Sequence, residues 1–316
     1  MRLSILDDYQ GIALDMADWS RLKGSVDIVV ERKPFANEDE TARALADSEI
    51  VAAMRERTPF PRSLVERLPK LKLLITTGMR NASFDLAALR DRGVEVCGTE
   101  GGGLDTAELT WGLILGAARR IAEDQRSMRE GQWQTRIGNR IEGKTLGILG
   151  LGRLGSAVAR VGLAFDMKVI AWSPNLTAER AAAVGVERVD KEALLRQSDI
   201  LTVHVVLSPR SRGLVGRDDI ALMKKTAILV NTSRGPIVDS DAVIEALARG
   251  RLGYAAFDVY DREPLPADHP LRRAPNILLT PHIGYVTEEN YRSSYPQIVE
   301  NVAAFLDGNP IRVIRT

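Results

Sequence analysis

Residues 145–155 read TLGILGLGRLG, and this stretch indicates the fold class of the chain. Thr145–Leu149 is predicted to be a buried strand, and a helix is predicted from Ser156 to about Phe165. Between them stand Gly150, Gly152 and Gly155, in the spacing G-x-G-x-x-G. In such a setting the first glycine permits a tight turn, the second lets the backbone approach a pyrophosphate, and the third lets helix and strand pack closely. The stretch therefore predicts a dinucleotide site at a helix N-terminus.

The strand predicted after this helix, Val169–Trp172, should end near an acidic residue that binds the adenosine ribose. Ser173 takes that position instead. A neutral residue removes the charge repulsion that excludes a 2′-phosphate, and Arg153 and Arg180 are the candidates to bind one. NAD and NADP both stay open, with NAD slightly favoured.

Composition sets broad bounds on the class of protein. The chain has 316 residues, which favours about two domains, and 45% hydrophobic with 27% charged residues is an ordinary globular balance. With 43 Lys and Arg against 42 Asp and Glu, no overall basic surplus indicates nucleic acid or an anionic membrane as a partner. The single cysteine, Cys97, excludes an internal disulfide and a cysteine-based metal cluster, and no metal is predicted. No signal peptide or spanning segment is recognised, so a soluble cytoplasmic protein is expected.

Short β-branched runs alternate with helical patterns along most of the chain, which is typical of parallel α/β architecture. The predicted strands form two series, separated near residue 100. They are Leu3–Leu6, Val26–Val30, Ile50–Ala53, Leu73–Thr76 and Val94–Cys97, then Thr145–Leu149, Val169–Trp172, Ile200–Val205, Ile228–Asn231, Ala255–Val259 and Ile277–Thr280. Two consecutive series predict two doubly wound domains.

A helix is predicted between the two series. Asp105 with Glu108 three residues later has the pattern of a capping box, and the helix is expected to run to about Met128. It would be long enough to bridge two domains, with the glycines at 101–103 as a flexible connection. A last helix is predicted over 288–306, before Gly308 and Pro310.

Polar residues follow several of the predicted strands, where ligands bind in open α/β sheets. His282 follows the strand at 277–280, whereas His204 is expected to pack in the core and His269 to lie solvated in a loop. Reduction of a ketone by hydride needs a proton for the carbonyl oxygen, and histidine suits this role because its pKa lies near neutrality. A neighbouring carboxylate would favour the imidazolium form, with Glu263 and Asp261 both candidates on spacing.

An arginine is the third candidate at these strand exits. Arg234 follows the predicted strand Ile228–Asn231. Its guanidinium can bind a carboxylate through two parallel hydrogen bonds, as a 2-keto acid would require. Arg234, a carboxylate and His282 together therefore indicate a hydride-transfer site for a small acid.

These segments resemble the D-isomer-specific 2-hydroxyacid dehydrogenase family. The matching pieces, in the family's order and spacing, are 143–155, Met223-Lys224, Asn231-Thr232-Ser233-Arg234-Gly235, Glu263-Pro264-Leu265 and Pro281-His282-Ile283-Gly284. The resemblance implies that Arg234 orients the substrate, that His282 is the acid/base and that Glu263, rather than Asp261, pairs with His282. The substrate stays open among glyoxylate, hydroxypyruvate, phosphoglycerate-like and bulkier acids.

The resemblance also implies a discontinuous architecture. A flavodoxin-like substrate-binding domain would combine 1–102 with 285–316, and a Rossmann-type NAD(P)-binding domain would cover 103–284, with the active site in the cleft. Such enzymes are usually homodimers joined through the cofactor domains. The predicted cofactor contacts are Gly150, Gly152, Arg153, Leu154, Gly155, Ser173, Val206, Pro209, Thr232, Ser233, Asp258 and Gly284.

Departures from the family pattern carry information on the substrate. The segment 77–85 reads TGMRNASFD where the family usually has a small-residue loop, and we predict substrate contacts from Gly78, Met79, Arg80 and Arg55. Arg80 either enters the pocket or points into solvent. In the first case Arg80, with Arg55, would recognise a second anionic group. Tyr285 is expected either to narrow the site or to pack beneath a hinge.

The predicted reaction is reversible reduction of a 2-keto acid by NAD(P)H to the (R)-2-hydroxy acid. A cofactor-sensing binding protein resembling the family's transcriptional corepressors is an alternative, since such proteins keep the trio of Arg234, Glu263 and His282. A formate-type dehydrogenase is a second alternative. Those enzymes generally have glutamine at the position of Glu263, and the glutamate of this chain therefore disfavours a formate-type dehydrogenase.

Overall fold

The computed structural model describes residues 1–315. Its strands are β1 (Arg2–Ile5), β2 (Asp27–Val30), β3 (Ile50–Ala53), β4 (Leu73–Thr76), β5 (Glu95–Gly98), β6 (Thr145–Leu149), β7 (Lys168–Trp172), β8 (Glu187–Arg188), β9 (Ile200–Val203), β10 (Ile228–Asn231), β11 (Tyr254–Phe257) and β12 (Ile277–Leu279). Its α-helices are α1 (Glu38–Leu45), α2 (Arg62–Val65), α3 (Leu86–Asp91), α4 (Asp105–Arg119), α5 (Ile121–Arg129), α6 (Arg153–Ala164), α7 (Ala178–Ala182), α8 (Lys191–Gln197), α9 (Arg217–Leu222), α10 (Ser240–Ala248) and α11 (Glu288–Leu306). Short 3-10 helices cover Ala13–Asp15, Trp19–Leu22, Gly235–Ile237 and Pro270–Arg273.

Within residues 1–315 the chain divides into two compact units. The first unit combines residues 1–103 with the C-terminal residues from Val286 onward, and the second unit covers Leu104–Tyr285. Each unit contains one of the two parallel sheets. The α/β fold class predicted from the alternating pattern is confirmed.

The first unit has the strand order β2-β1-β3-β4-β5, with each pair in parallel register. This is the flavodoxin-like order of a doubly wound sheet. All residues of the inner strands β3 and β4 are buried, as expected for parallel strands covered on both faces.

The C-terminal helix α11 belongs to the first unit because polar contacts fix it there. The buried Asn301 donates from Nδ2 to the Gly98 carbonyl at 2.8 Å, and its Oδ1 accepts from Arg312 Nη1 at 3.0 Å. The chain then continues beside β5, where the Ile314 N–H donates to the Val96 carbonyl. This segment covers the outer edge of β5, which would otherwise be open to pairing with another chain.

The second unit has the strand order β12-β11-β10-β9-β6-β7-β8, again with parallel pairing. The part of this order from β11 to β8 is that of a dinucleotide-binding sheet, with β12 added at one edge. Successive side chains alternate between its faces. Ile148 packs in one core with Trp111 of α4, and Leu149 packs in another with Leu195 of α8.

The strand predictions agree with the structure to within two residues at each end. One strand, β8, was not predicted. It spans Glu187–Arg188, and both residues are exposed, so it carries no apolar pattern that a sequence could reveal.

The prediction of one capped helix over 105–128 was wrong in two respects. The chain forms α4 and α5, separated by Arg120 in the left-handed conformation at φ +56°. The Arg120 guanidinium lies 4.4 Å from the centre of the Tyr254 ring and donates to Asn276 Oδ1 at 2.9 Å. These contacts to β11 and the start of β12 favour the break over a continuous helix. Asp105 is also the first helical residue rather than the cap, because Leu104 occupies the N-cap position with no side-chain hydrogen bond.

Among residues 1–315, no helix combines the length and the apolar character needed to cross a membrane.

Replacing Asn301 tests the attachment of α11 to the first unit. Asn301→Leu removes both side-chain hydrogen bonds and leaves the buried Gly98 carbonyl without its donor, so we expect the free energy of unfolding to fall by about 1–3 kcal/mol. Asn309→Leu is the control because Asn309 is exposed, and its change should stay within about 0.5 kcal/mol. Urea unfolding followed by circular dichroism measures both variants, and equal losses would contradict the assignment.

Candidate active site

The candidate residues of the second unit follow neighbouring strands. Since β9 to β12 pair in parallel, their carboxyl ends meet at one edge of the sheet. Arg234 follows β10, Glu263 follows β11 and His282 follows β12. The strand order β12-β11-β10 therefore places the three loops side by side.

His282 and Glu263 form a hydrogen-bonded pair. His282 Nδ1 lies 2.5 Å from Glu263 Oε2, and the two side chains are 17% and 25% exposed. The Tyr260 N–H donates to the other carboxylate oxygen, Glu263 Oε1, at 2.9 Å. Asp261, the competing candidate, lies instead near Arg212 and His269. With Nδ1 bonded to Glu263, Nε2 is the ring nitrogen through which His282 can exchange a proton with a ligand.

The loop that carries His282 is strained and strongly anchored. His282 itself has φ +53°, a left-handed conformation that side-chain-bearing residues adopt at a cost. Asp258 directly follows β11, is wholly buried and anchors this loop by accepting its hydrogen bonds. Its Oδ1 accepts from Thr280 Oγ1 at 2.6 Å and from the Ile283 N–H at 2.8 Å, and its Oδ2 accepts from the Gly284 N–H at 2.9 Å.

These hydrogen bonds give Asp258 a role in positioning the His282 loop. Burial raises the pKa of Asp258, although the Thr280 hydroxyl, the two N–H donors and the nearby His282 act in the opposite direction. The contact of Asp258 with the cofactor stays a prediction, and both of its carboxylate oxygens accept hydrogen bonds from the protein itself. Asp258 is therefore a positioning residue for the His282 loop.

A similar arrangement fixes Arg234. Asn231, buried at the end of β10, accepts from the Ser233 N–H and donates from Nδ2 to the Arg234 carbonyl, both at 3.0 Å. Arg234 Nη1 donates to the Ser233 carbonyl at 2.7 Å, which directs the guanidinium along its own loop. The Ser233 hydroxyl donates to the Val205 carbonyl and so ties the loop to the one after β9.

The loops after β10 and β11 approach so closely that only glycine fits between them. A Cβ on Gly235 would lie 2.0 Å from the Tyr260 carbonyl carbon. Because Gly235 follows Arg234 and Tyr260 holds Glu263, this contact sets the separation between the arginine and the carboxylate.

Two threonines of α4 also support the site, and sequence reasoning missed them. Thr106 Oγ1 donates to the Gly284 carbonyl at 2.9 Å, and Thr110 Oγ1 lies 2.8 Å from Thr232 Oγ1. The spacing of four residues, which puts both hydroxyls on one side of a helix, was the available signal. The predicted cofactor contacts Thr232 and Gly284 are thus joined through one helix.

Tyr285 lies beside the catalytic candidate. Its ring meets the His282 imidazole edge to face, with centroids 5.7 Å apart and planes at 82°. Such a contact restricts the rotation of the imidazole. This favours the prediction that Tyr285 narrows the site.

The glycine turn fits a dinucleotide. Gly150 has φ +106°, and a Cβ on Gly155 would lie 2.1 Å from the Gly150 carbonyl oxygen, so both positions require glycine. A Cβ on Gly152 would meet nothing, because that side of the turn is open. Helix α6 begins at Arg153, three residues earlier than predicted, and has no side-chain cap. An open, uncapped helix start beside bare backbone suits a pyrophosphate.

The remaining predicted cofactor residues surround this turn. Ser173 Oγ accepts from the Leu151 N–H at 3.0 Å, and Leu154 packs against the core behind the turn. Val206 is 82% exposed after β9, in a loop where Ser211 Oγ donates to the Val206 carbonyl. Pro209 is exposed in the same loop. An apolar side chain this exposed beside the turn suits contact with a bound ligand.

The predicted substrate residues lie in the first unit, after β3 and β4. Arg55 has φ +52°, and its Nη1 donates to the Thr77 carbonyl at 3.3 Å. A Cβ on Gly78 would lie 2.4 Å from this Nη1, so the guanidinium rests against the Gly78 backbone. Met79 and Arg80 follow and are exposed. The structure therefore brings Arg55 and Gly78 together and leaves the Arg80 side chain at the surface.

The other two histidines, His204 and His269, form hydrogen bonds within the protein. His204 follows β9, its Nε2 lies 2.9 Å from Thr202 Oγ1, and burial lowers its pKa to about 4. His269 caps a 3-10 helix, since its Nδ1 accepts from the Leu271 N–H at 3.2 Å. Both side chains are half-buried, so His204 lies at the margin of the core rather than within it, and His269 is not fully solvated.

Comparison with known proteins identifies the family. Residues 111–284 match the model of the D-isomer specific 2-hydroxyacid dehydrogenase, NAD binding domain. The chain belongs to this family. Its dinucleotide is accordingly NAD or NADP.

Three relatives illustrate the likeness. The chain is 40% identical over 255 residues to a glyoxylate reductase of Aeropyrum pernix, covering 78% of this chain and 76% of the relative. It is 37% identical over 283 residues to a D-3-phosphoglycerate dehydrogenase of Methanocaldococcus jannaschii, covering 88% of this chain but 54% of that protein. The chain thus matches about half the length of the second relative. A phosphoglycerate oxidoreductase from Vibrio cholerae O395 superposes with TM-score 0.92 at 33% identity, covering 98% and 99% of the two chains.

A substitution at Asp258 tests its role in positioning His282. In Asp258→Asn an amide NH2 replaces one carboxylate oxygen. An N–H donor would then face one of the donors that now bond to that oxygen, and the hydrogen bond would be lost. The His282 loop should shift, and we expect kcat for keto-acid reduction to fall about 100-fold, since small misplacements of a reacting group have effects of this size. Affinity for the dinucleotide, measured by calorimetry, should change far less.

Asp199→Asn is the matched control for that variant. Asp199 accepts from the Thr145 N–H at 2.9 Å and pairs with Lys224 before β9, at the opposite edge of the same sheet. Its replacement should reduce stability without a comparable loss of kcat. Equal kcat in the two variants would contradict the positioning role of Asp258.

Proposed function

We propose that this chain reversibly reduces a 2-keto acid with NAD(P)H to the (R)-2-hydroxy acid. The observation that carries the proposal is the 2.5 Å contact between His282 Nδ1 and Glu263 Oε2 at the exits of adjacent parallel strands. Arg234 leaves the next strand of the same edge. An acid/base with its carboxylate and an arginine for an anionic substrate are the groups that this reaction needs from a protein.

The bound nicotinamide supplies the hydride, and the side chains handle charge and proton. The Arg234 guanidinium binds the substrate carboxylate and polarises the keto group beside it. In the direction of reduction, His282 starts as the imidazolium and donates the Nε2 proton to the carbonyl oxygen. The Glu263 carboxylate stabilises the positive ring through Nδ1. In the reverse direction neutral His282 accepts the hydroxyl proton.

Replacing His282 tests this assignment. His282→Gln keeps a polar side chain of similar length but cannot exchange a proton near neutral pH, so kcat should fall by about 100-fold or more. Dinucleotide affinity should persist, because the glycine turn is unaltered. NADH and NADPH oxidation with a panel of 2-keto acids, together with calorimetric titration of the dinucleotide, measures both quantities.

His269→Gln is the matched control. His269 caps a short 3-10 helix, and glutamine can accept the same backbone hydrogen bond, so kcat should stay near that of the unaltered chain. Full kcat in His282→Gln would falsify the acid/base role.

We further propose that the first unit binds the substrate and that the second unit binds the cofactor. Met79 and Arg80 would offer backbone N–H groups to the substrate, and the Arg80 side chain would offer charge. Gly78 lies beside Arg55, and its own N–H donates to Thr99 Oγ1 at 2.9 Å. The position of the Arg55 guanidinium against the Gly78 backbone supports an anion site there. The predicted second anionic group of the substrate would then be a carboxylate or a phosphate.

The preference for a second anion can be measured directly. For Arg80→Ala, the ratio of kcat/KM for oxaloacetate to that for pyruvate should fall about tenfold, the effect of losing one charge-assisted hydrogen bond. Arg43→Ala on the exposed face of α1 removes an arginine elsewhere in the same unit and should leave the ratio unchanged. An unchanged ratio in Arg80→Ala would refute the prediction for Arg80.

Assembly and location stay predictions. A homodimer joined through the second unit is supported by Trp133 and Ile137, which are 74% and 94% exposed in the stretch between α5 and β6. Apolar side chains this exposed are typical of surfaces that another protein covers. Location in the cytoplasm stays a prediction, and the single cysteine, which fits a reducing compartment, supports it.

A further inference from the structure

Tyr260 forms hydrogen bonds with both loops that carry the pair of Glu263 and His282. Its backbone N–H donates to Glu263 Oε1 at 2.9 Å. Its side chain is buried, and the hydroxyl donates to the Thr280 carbonyl at 2.8 Å and lies 3.1 Å from the Phe257 carbonyl oxygen. One residue therefore contacts the carboxylate of the pair through its backbone and the loop of the histidine through its side chain.

The Thr280 carbonyl is the point at which Tyr260 contacts the His282 loop. The same oxygen accepts from the His282 N–H at 3.0 Å, and a carbonyl oxygen has two lone pairs for these two donors. His282 has φ +53°, and a conformation of this kind persists only where the surrounding contacts fix it. Asp258 binds the two N–H groups that follow His282, whereas the Tyr260 hydroxyl fixes the carbonyl that precedes it.

The Tyr260 hydroxyl is suited to act as a constant donor rather than as a carrier of protons. Burial raises the pKa of Tyr260, and the neighbouring carboxylates of Asp258 and Glu263 raise it further. The hydroxyl therefore keeps its proton near neutral pH. Because this proton is directed at backbone carbonyls, the side chain holds the loop and takes no part in proton transfer.

We propose that Tyr260 is a positioning residue for the acid/base, and that its hydroxyl fixes the place of His282 relative to Glu263. Without the hydroxyl, the Thr280 carbonyl loses one of its two donors and the left-handed residue relaxes. Glu263 stays in place, because its bond to the backbone N–H of Tyr260 does not depend on the side chain. The contact between Nδ1 and Oε2 then lengthens. The inference rests on the proposed function, since it concerns the acid/base of that reaction.

Tyr260→Phe tests the proposal, because it removes the hydroxyl and keeps the ring and the backbone donor. We expect kcat for keto-acid reduction to fall about tenfold, since a small misplacement of a reacting group slows the chemical step. KM for the keto acid and Kd for the dinucleotide should change less than about threefold, because Arg234 and the glycine turn are unaltered. Steady-state rates and calorimetric titration measure these quantities, and full kcat in the variant would overturn the proposal.

The NMR resonances of the His282 ring report the same geometry without turnover. In protein labelled at the histidine nitrogens, the Nδ1–H signal of His282 is assigned by its absence from His282→Gln. The proton of a short hydrogen bond to a carboxylate resonates far downfield and moves upfield as the bond lengthens. We expect this upfield movement in Tyr260→Phe, and an unchanged resonance would contradict the proposed role.

Tyr254→Phe is the matched control. Tyr254 is the first residue of β11, is 2% exposed, and its hydroxyl donates to Glu123 Oε1 at 3.0 Å. The substitution therefore removes a buried, hydrogen-bonded hydroxyl at the opposite end of the strand that leads to Tyr260. Both variants should lose stability in thermal unfolding, but kcat and the His282 resonance should change only in Tyr260→Phe. Equal losses of kcat would show a general effect of stability and would overturn the proposal.

The outcomes separate this inference from the proposed function. Full kcat in Tyr260→Phe, in a chain that reduces keto acids, refutes the positioning role alone. A shifted His282 resonance in a chain that reduces no keto acid refutes the proposed function alone. An unchanged resonance together with absence of turnover contradicts both.

Discussion

The hydrogen bond between His282 Nδ1 and Glu263 Oε2 joins the loops that follow two adjacent parallel strands. Asp258 and Tyr260 join the same two loops through further hydrogen bonds, and these contacts hold the pair at hydrogen-bonding distance. Tyr260 fixes Glu263 through a backbone N–H, and Asp258 fixes the residues after His282. The proposed chemistry depends on this pair, because an imidazole without its carboxylate would lose both its orientation and the stabilisation of its charged form.

Close approach between backbones is the second constraint on the site. Gly155 lets α6 pack against the glycine turn, and Gly235 lets the arginine loop pack against Tyr260. At both positions a Cβ would overlap backbone atoms, which cannot move aside as a flexible side chain can. The glycines therefore bring the cofactor turn and the arginine loop to their positions, and the polar residues then act from those positions.

Much of this arrangement could be predicted from the sequence, because buried parallel strands appear as apolar runs and ligands bind at their carboxyl ends. That reasoning located Arg234 and His282, but spacing could not separate Glu263 from Asp261. It also missed Thr106, because its hydrogen bond to Gly284 joins segments far apart in the chain. The break between α4 and α5 was not predicted for the same reason. Helical periodicity is local, whereas the interaction that favours the break joins Arg120 to the Tyr254 ring.

A double-mutant cycle on His282 and Glu263 tests the central claim most directly. The rate of keto-acid reduction would be measured for His282→Gln, for Glu263→Gln and for the variant with both changes. Since Glu263 acts through His282, the double variant should be no slower than His282→Gln alone, within about threefold. Losses that multiply, so that the double variant is slower by the product of the two single effects, would show that the residues act independently and would contradict the account.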